Sequence, residues 1–439
     1  MGRVRRAPLA PTYREVPVWR CETEPTPTAS AAERGALPAR VDTVVVGSGY
    51  AGVVAAHELA RRGRSVLVCE AERIGSGAST RNAGMVIPEL KRGAAWLERH
   101  HGTAGRRMAD SPREACELVA ELAAELSATG LGDCGYRATG GVVLAHHPRA
   151  VAMLRSAARD LELTGLRCAF LERDELAAEL ESGAYPAGLL VDAIAGLHPE
   201  RYHAALVRRA LATGAALAEA NRVLRIERAA GRFVVRTERG PVEAGDVLVV
   251  TNAYADGLVP ALARGVLPVG SFMIATEPLD DARIRSVDPH RRMFFDTRHL
   301  LSYWRRGPGD RLVFGGRTSL SSTTVAEARD RLYDLMLRVY PQLAGVRVEH
   351  AWGGAVAITR DRLPHAGRID GVAFATGCNG TGVALGTWLG RTMATWMLGE
   401  GPPPVFAEGS VPLRSWPRGL PRALPAAGLG LRLLDRLGR

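Results

Sequence analysis

Chemistry in this chain is announced by glycine spacing. Gly47-Ser48-Gly49-Tyr50-Ala51-Gly52 has the form G-x-G-x-x-G. It lies between Val41–Val46, which reads as a short buried strand, and Val53–Arg62, which has the period of a helix. Gly47 permits a tight turn, Gly49 lets the backbone approach a pyrophosphate, and Gly52 lets the helix pack closely on the strand. The helix N-terminus favours the phosphate charge. A second buried strand, Ser65–Cys69, is followed by Glu70, 18 positions beyond Gly52 (70 − 52). An acidic side chain there can accept from a ribose hydroxyl. Strand, turn, helix, strand and acid together make a dinucleotide site, with Ala71 beside it.

That unit does not choose between NAD and FAD; the loop after it does. Gly75 to Met85 is built of small residues, which let an isoalloxazine and ribityl chain come close to the backbone. Ser79, Thr80, Arg81 and Asn82 can hydrogen-bond phosphate and flavin edges, and Gly77, Ala78, Ala83, Gly84 and Met85 complete the contact set. At this loop the sequence resembles the D-amino-acid-oxidase-like family of FAD enzymes, which includes glycine oxidase and monomeric sarcosine oxidase. It is most similar to the gamma-glutamylputrescine oxidase branch, whose G-A-S-x-R-N-x-G loop is matched by Gly77 to Gly84. The resemblance continues through Phe314-Gly315-Gly316-Arg317, Trp352-Gly353-Gly354, and the turn from Thr359 through Asp361 to Pro364. It ends in a glycine motif from Ala375 to Gly386, where Gly377, Asn379, Gly380, Thr381, Gly382 and Val383 are flavin-contact candidates. Val223, Asn252 and Gly354 complete the candidate cofactor set.

The likeness spans roughly residues 40 to 400. It implies hydride transfer to flavin N5 from a carbon next to nitrogen in a small amine or amino-acid-like substrate. An imine results, and the electrons pass to oxygen, giving peroxide, or to another acceptor. The helix starting at the last motif would point its N-terminus at the flavin, stabilising negative charge on the reduced ring. Two departures refine the expectation. The sarcosine oxidase branch attaches flavin through a cysteine, but Ala355–Thr359 contains none, so FAD is expected to be non-covalent. That branch also places a lysine where this chain has Val313; Lys91 is the only lysine in the sequence.

Four residues are catalytic candidates. Arg317 could grip a substrate carboxylate through a bidentate fork, or could be one surface arginine among many. Tyr303 and Trp304 alternate faces of a strand, so at most one of them faces the flavin. Trp352 is either core packing or part of the site, and Lys91 either a solvated loop residue or an active-site cation. His365 and Cys378 read as buried packing, and the His100–His101 pair as a solvated helix end without metal-ligand spacing.

The elements that must hold these residues imply an α/β fold: a discontinuous Rossmann-like FAD-binding domain and a second, α+β substrate domain built on an antiparallel sheet. Residues 1–40 read as a lead-in with little periodic structure. Residues 41–95, 198–265 and 346–400 read as the FAD domain, 96–197 and 266–345 as the substrate domain, and 401–439 as a surface-docked tail. No run of about 20 apolar residues spans a bilayer, and no apolar region follows the N-terminal arginines, so cytoplasmic residence is expected. The six cysteines are scattered, without C-x-x-C, which excludes a zinc framework and a disulfide scaffold. The net charge of +11 comes from arginines interleaved with acids, and no basic recognition motif accompanies it, so no nucleic-acid partner is expected. Three other readings remain open at this stage: a flavin-dependent dehydrogenase, a biosynthetic tailoring oxidase acting on a non-amine substrate, and a flavin-binding protein without enzymatic activity.

Overall fold

The computed structural model describes residues 4–21, 36–317, 320, 323–407, 412–417 and 419–438. Two large sheets organise them. The first has eight strands. At its centre Arg40–Val46 runs parallel to Val66–Cys69 on one side and to Gly240–Val249 on the other. Ala216–Ala218 and Val372–Thr376 add parallel partners further out. β-branched residues fill these strands because both faces are covered, which removes the alternation of a half-exposed sheet. Val44, Val45 and Leu248 are wholly buried.

One face of this sheet carries the helices Tyr50–Ala60, Pro199–Ala212 and Gly382–Met397. Two glycines set their depth. A Cβ on Gly52 would lie 1.9 Å from the Gly47 carbonyl oxygen, and one on Gly390 would lie 2.4 Å from that of Ala51. Backbone therefore rests on backbone at the start of the first helix.

The second sheet has nine strands, in the order Leu9–Arg14, Val348–Thr359, Val266–Thr276, Leu312–Gly316, Ser302–Arg306, Met293–Asp296, Gly141–Leu144, Gly188–Val191 and Cys168–Leu171. Its pairs are antiparallel except at Leu9–Arg14 with Val348–Thr359 and at Met293–Asp296 with Gly141–Leu144. The helix Val325–Val339 packs Leu332, Tyr333 and Met336 against one face.

Three features differ from the sequence expectation. The lead-in is structured: Leu9–Arg14 is an edge strand, and the 3-10 helix Val18–Cys21 buries Trp19. Pro8 and Pro11 hid this strand, although an edge position tolerates proline. Val348–Thr359 belongs to the second sheet rather than to the FAD domain, because it pairs with Val266–Thr276 along its whole length. The tail contains a helix, Leu420–Leu437, anchored where the Asp435 carboxylate accepts from the backbone N–H groups of His299 and Leu300.

Candidate active site

A cavity of about 840 Å³ lies between the two sheets, at the C-terminal ends of the parallel strands. The first strand delivers its chain into Gly47, which takes the left-handed φ of +102° that glycine tolerates. Glu70 closes the glycine turn: its carboxylate accepts from the Ser48 N–H (3.1 Å) and the Ser48 hydroxyl (2.6 Å). The small-residue loop is stitched to the same turn, since the Tyr50 N–H donates to Ser79 Oγ at 3.1 Å. Across the cavity the helix Gly382–Met397 begins, with no acidic residue in its first turn to neutralise its dipole.

These residues fit a flavin dinucleotide. Gly47, Gly49, Gly354 and Gly380 leave bare backbone along the wall, and a Cβ on Gly49 would lie only 3.1 Å from Ser79 Oγ. His203 lies on the wall, its Nε2 2.7 Å from the Ser48 carbonyl oxygen and its Nδ1 buried without a partner.

Of the expected residues, Gly47, Ser48, Gly49, Tyr50, Ala51, Glu70, Ala71, Gly77, Ala78, Ser79, Arg81, Asn82, Ala83 and Met85 line the cavity. So do Val223, Asn252, Gly354, Asn379, Gly380, Thr381, Gly382, Val383, Tyr303, Arg317 and Lys91. Five do not. Gly52 is pressed on Gly47; Thr80 is buried and donates to the Gly75 carbonyl; a Cβ on Gly84 would meet the Leu197 carbonyl oxygen at 2.1 Å; and a Cβ on Gly377 would meet Thr359 Cγ2 at 2.4 Å. Trp352, a catalytic candidate from sequence, lies behind the loop and donates from Nε1 to the Arg81 carbonyl at 2.9 Å. These residues shape the wall from behind.

The end of the cavity formed by the second sheet is polar. Tyr303 and Ser271 share a hydrogen bond of 2.9 Å between their hydroxyls, while Trp304 turns into the core and bonds Tyr340. The guanidinium of Arg317 has no hydrogen bond or ion pair among the described residues, and burial, then the nearby Arg362 charge, lowers its pKa. Burial raises that of the Tyr303 phenol. Lys91 is paired with Glu89. Val313 is wholly buried and off the cavity, opposite Arg305 on the neighbouring strand. Burial pushes the Arg305 guanidinium down to about 10, and it donates to the Leu197 carbonyl at 2.8 Å. Sequence reasoning missed Ser271, Phe295, Leu301, Glu89 and His203 on the wall, and Arg305 behind it. For Ser271 and Leu301 no local signal existed, because only tertiary pairing brings them there. The Cys378 thiol is kept protonated by burial and accepts from Asn252 Nδ2 at 3.2 Å.

The family model described as FAD dependent oxidoreductase (DAO) matches residues 42–396. This chain belongs to that family. It is 30% identical over 404 residues to gamma-glutamylputrescine oxidoreductase of Escherichia coli K12, covering 90% of this chain and 93% of that protein. It is 25% identical over 375 residues to glycine oxidase of Bacillus licheniformis, covering 82% and 94%. Among solved structures the fold matches glycine oxidase from Geobacillus kaustophilus with a TM-score of 0.74 and 21% identity, covering 85% of this chain and 98% of that one. The chain is an FAD-dependent oxidoreductase of mixed α/β fold. Among the described residues no cluster of His, Cys, Asp and Glu could hold a metal, and no helix is long and apolar enough to cross a membrane.

Proposed function

We propose that this enzyme oxidises the carbon–nitrogen bond of an amine or amino-acid-like substrate, with FAD held non-covalently in the cavity. The observation that carries the reading is the half-buried Arg317, without a hydrogen bond or ion pair among the described residues, beside the Tyr303–Ser271 hydroxyl pair on the cavity wall. The matched relatives support it, since one is named for glycine and another for gamma-glutamylputrescine. Gly47–Ala51, Glu70, Gly77–Ser79, Arg81 and Asn82 would hold the cofactor from one side, and Asn379–Val383 from the other. When bound, FAD supplies the hydride acceptor.

The protein's own residues then have three tasks. Arg317 takes an anionic substrate group in a fork that water would otherwise fill. Its charge also disfavours protonation of a neighbouring amine, which keeps the nitrogen lone pair free to assist loss of hydride from the adjacent carbon. Tyr303, protonated at neutral pH, orients the substrate through its hydroxyl while Ser271 fixes that hydroxyl's direction. Most of the rate enhancement is positional. The imine leaves and hydrolyses in water, and the electrons go to oxygen or another acceptor. We also take the enzyme to be cytoplasmic, in keeping with six free cysteines, and to have no nucleic-acid partner.

An anaerobic absorbance titration of the yellow protein against a panel of amines and amino acids tests the reading. Bleaching by at least one amine supports it; bleaching only by alcohols, thiols or hydroxy acids rejects it. Peroxide measured against substrate consumed in air then identifies the acceptor.

A further inference from the structure

The residues before the region matched by the family model return to the cofactor wall. Leu9–Arg14 pairs in parallel with Val348–Thr359, and the chain then turns into Val18–Cys21 behind the loop Gly75–Met85. From there Trp19 Nε1 donates to the Asn82 carbonyl at 2.9 Å, and Arg20 donates to the Gly75 carbonyl at 2.8 Å. Trp352 Nε1 reaches the adjacent Arg81 carbonyl at 2.9 Å, and its ring meets Trp19 edge-on with centroids 6.4 Å apart. Arg305 donates to the Ala83 and Gly84 carbonyls at 3.3 Å each and stands 5.9 Å from the Trp19 ring.

Four consecutive carbonyls, Arg81 to Gly84, are thus held by side chains from three remote segments. The other face of the same loop lines the cavity through Ser79, Arg81, Asn82 and Ala83. Buried carbonyls must be satisfied somewhere. Here their partners fix where the loop's side chains point. Asn82 is held further by its own bonds to Ala78 and Ser79.

We propose that residues 4–21 form a clamp on the cofactor loop, and that Trp19 is a positioning residue for FAD retention. This rests on FAD occupying the cavity as read above. Without the Trp19 donor the part-buried Asn82 carbonyl loses its partner, so the loop relaxes away from the geometry that grips the cofactor. The clamp couples the N-terminus to flavin affinity without touching substrate.

The test is the rate at which FAD leaves the holoenzyme on dilution, followed by the rise in free flavin fluorescence. Trp19→Phe keeps the ring and removes the donor. Trp304→Phe makes the same chemical deletion in the core of the second sheet, where the lost partner is the Tyr340 hydroxyl. The expected result is release about 3- to 10-fold faster in Trp19→Phe, with Trp304→Phe within about 2-fold of wild type at matched melting temperature. Equal rates in the two variants, or no change in Trp19→Phe, would overturn the clamp. If Trp19→Phe does not fold, Arg20→Met decides, since Arg20 is partly exposed and its only loss toward the loop is the Gly75 contact. Faster release supports the clamp and an unchanged rate rejects it. A wild-type protein that purifies without flavin would instead reject the underlying reading of the cavity.

Discussion

Arg317 offers the sharpest discrimination between substrates. Its guanidinium sits at the cavity wall, and a Cβ on Gly380, in the last glycine motif, would come within 3.3 Å of Nη2. No carboxylate of the described residues bonds to it; the carboxylate whose charge acts on it is that of Glu89, which is paired with Lys91. A substrate carboxylate would supply the missing counter-charge. Breaking a buried ion pair by removing one partner costs about 3–5 kcal/mol. Arg317→Met is therefore expected to lower kcat/KM for a carboxylate-bearing amine by about 10²- to 10³-fold or somewhat more. Arg317→Lys should fall between, since it keeps the charge and loses the planar fork. For an amine of similar size without a carboxylate, Arg317→Met should change kcat/KM by less than about 3-fold, because no ion pair is lost. Steady-state rates with both substrates, at equal flavin content, give the four comparisons needed. If Arg317→Met costs the same factor on both, its role is not anion recognition and the argument from the unpaired guanidinium fails.

Other consequences are open to direct measurement. Gly52→Ala places a Cβ 1.9 Å from backbone oxygen, so the variant is expected to lose FAD or fail to fold; normal flavin content would mean the first helix can shift. Acid precipitation should release all the yellow colour into the supernatant, since no cysteine lies on Ala355–Thr359 and the Cys378 thiol is held protonated; colour in the pellet would show a covalent link. Burial, then the charges of Arg201 and Arg305, lowers the His198 imidazole from 6.5 to about 3. Its contribution to stability is fully present above pH 6.5 and is lost as the pH falls towards 3, on the order of 5 kcal/mol at the limit. His198→Asn keeps an acceptor for the Arg201 N–H at the helix start and should flatten the melting temperature between pH 6.5 and 4; an unchanged acid slope would assign the loss to other groups.

What the sequence made legible is what local spacing encodes. The G-x-G-x-x-G turn, the loop after the second strand and the final glycine helix are each continuous stretches whose geometry is dictated by their own residues. Gly47 must be glycine for its φ and Gly52 for its contact, so both could be read without knowing the fold. The proposed substrate end is different in kind. Tyr303 and Ser271 come from two strands and Arg317 follows the end of a third, and their meeting depends on the register in which Val266–Thr276, Ser302–Arg306 and Leu312–Gly316 pair. A one-residue slip would turn Tyr303 into the core and Trp304 into the cavity. The alternation of that strand was legible; its direction was not, because an aromatic on either face satisfies the pattern. The same limit explains Trp352 and the N-terminal segment. Whether the tryptophan before a glycine pair lines the site or packs behind it is decided by the strand opposite, and a proline-bearing edge strand has no periodicity strong enough to see. On the proposed assignment, cofactor recognition is written locally in this chain, while substrate recognition is written in strand register, so a relative could keep every glycine motif and still bind a different amine.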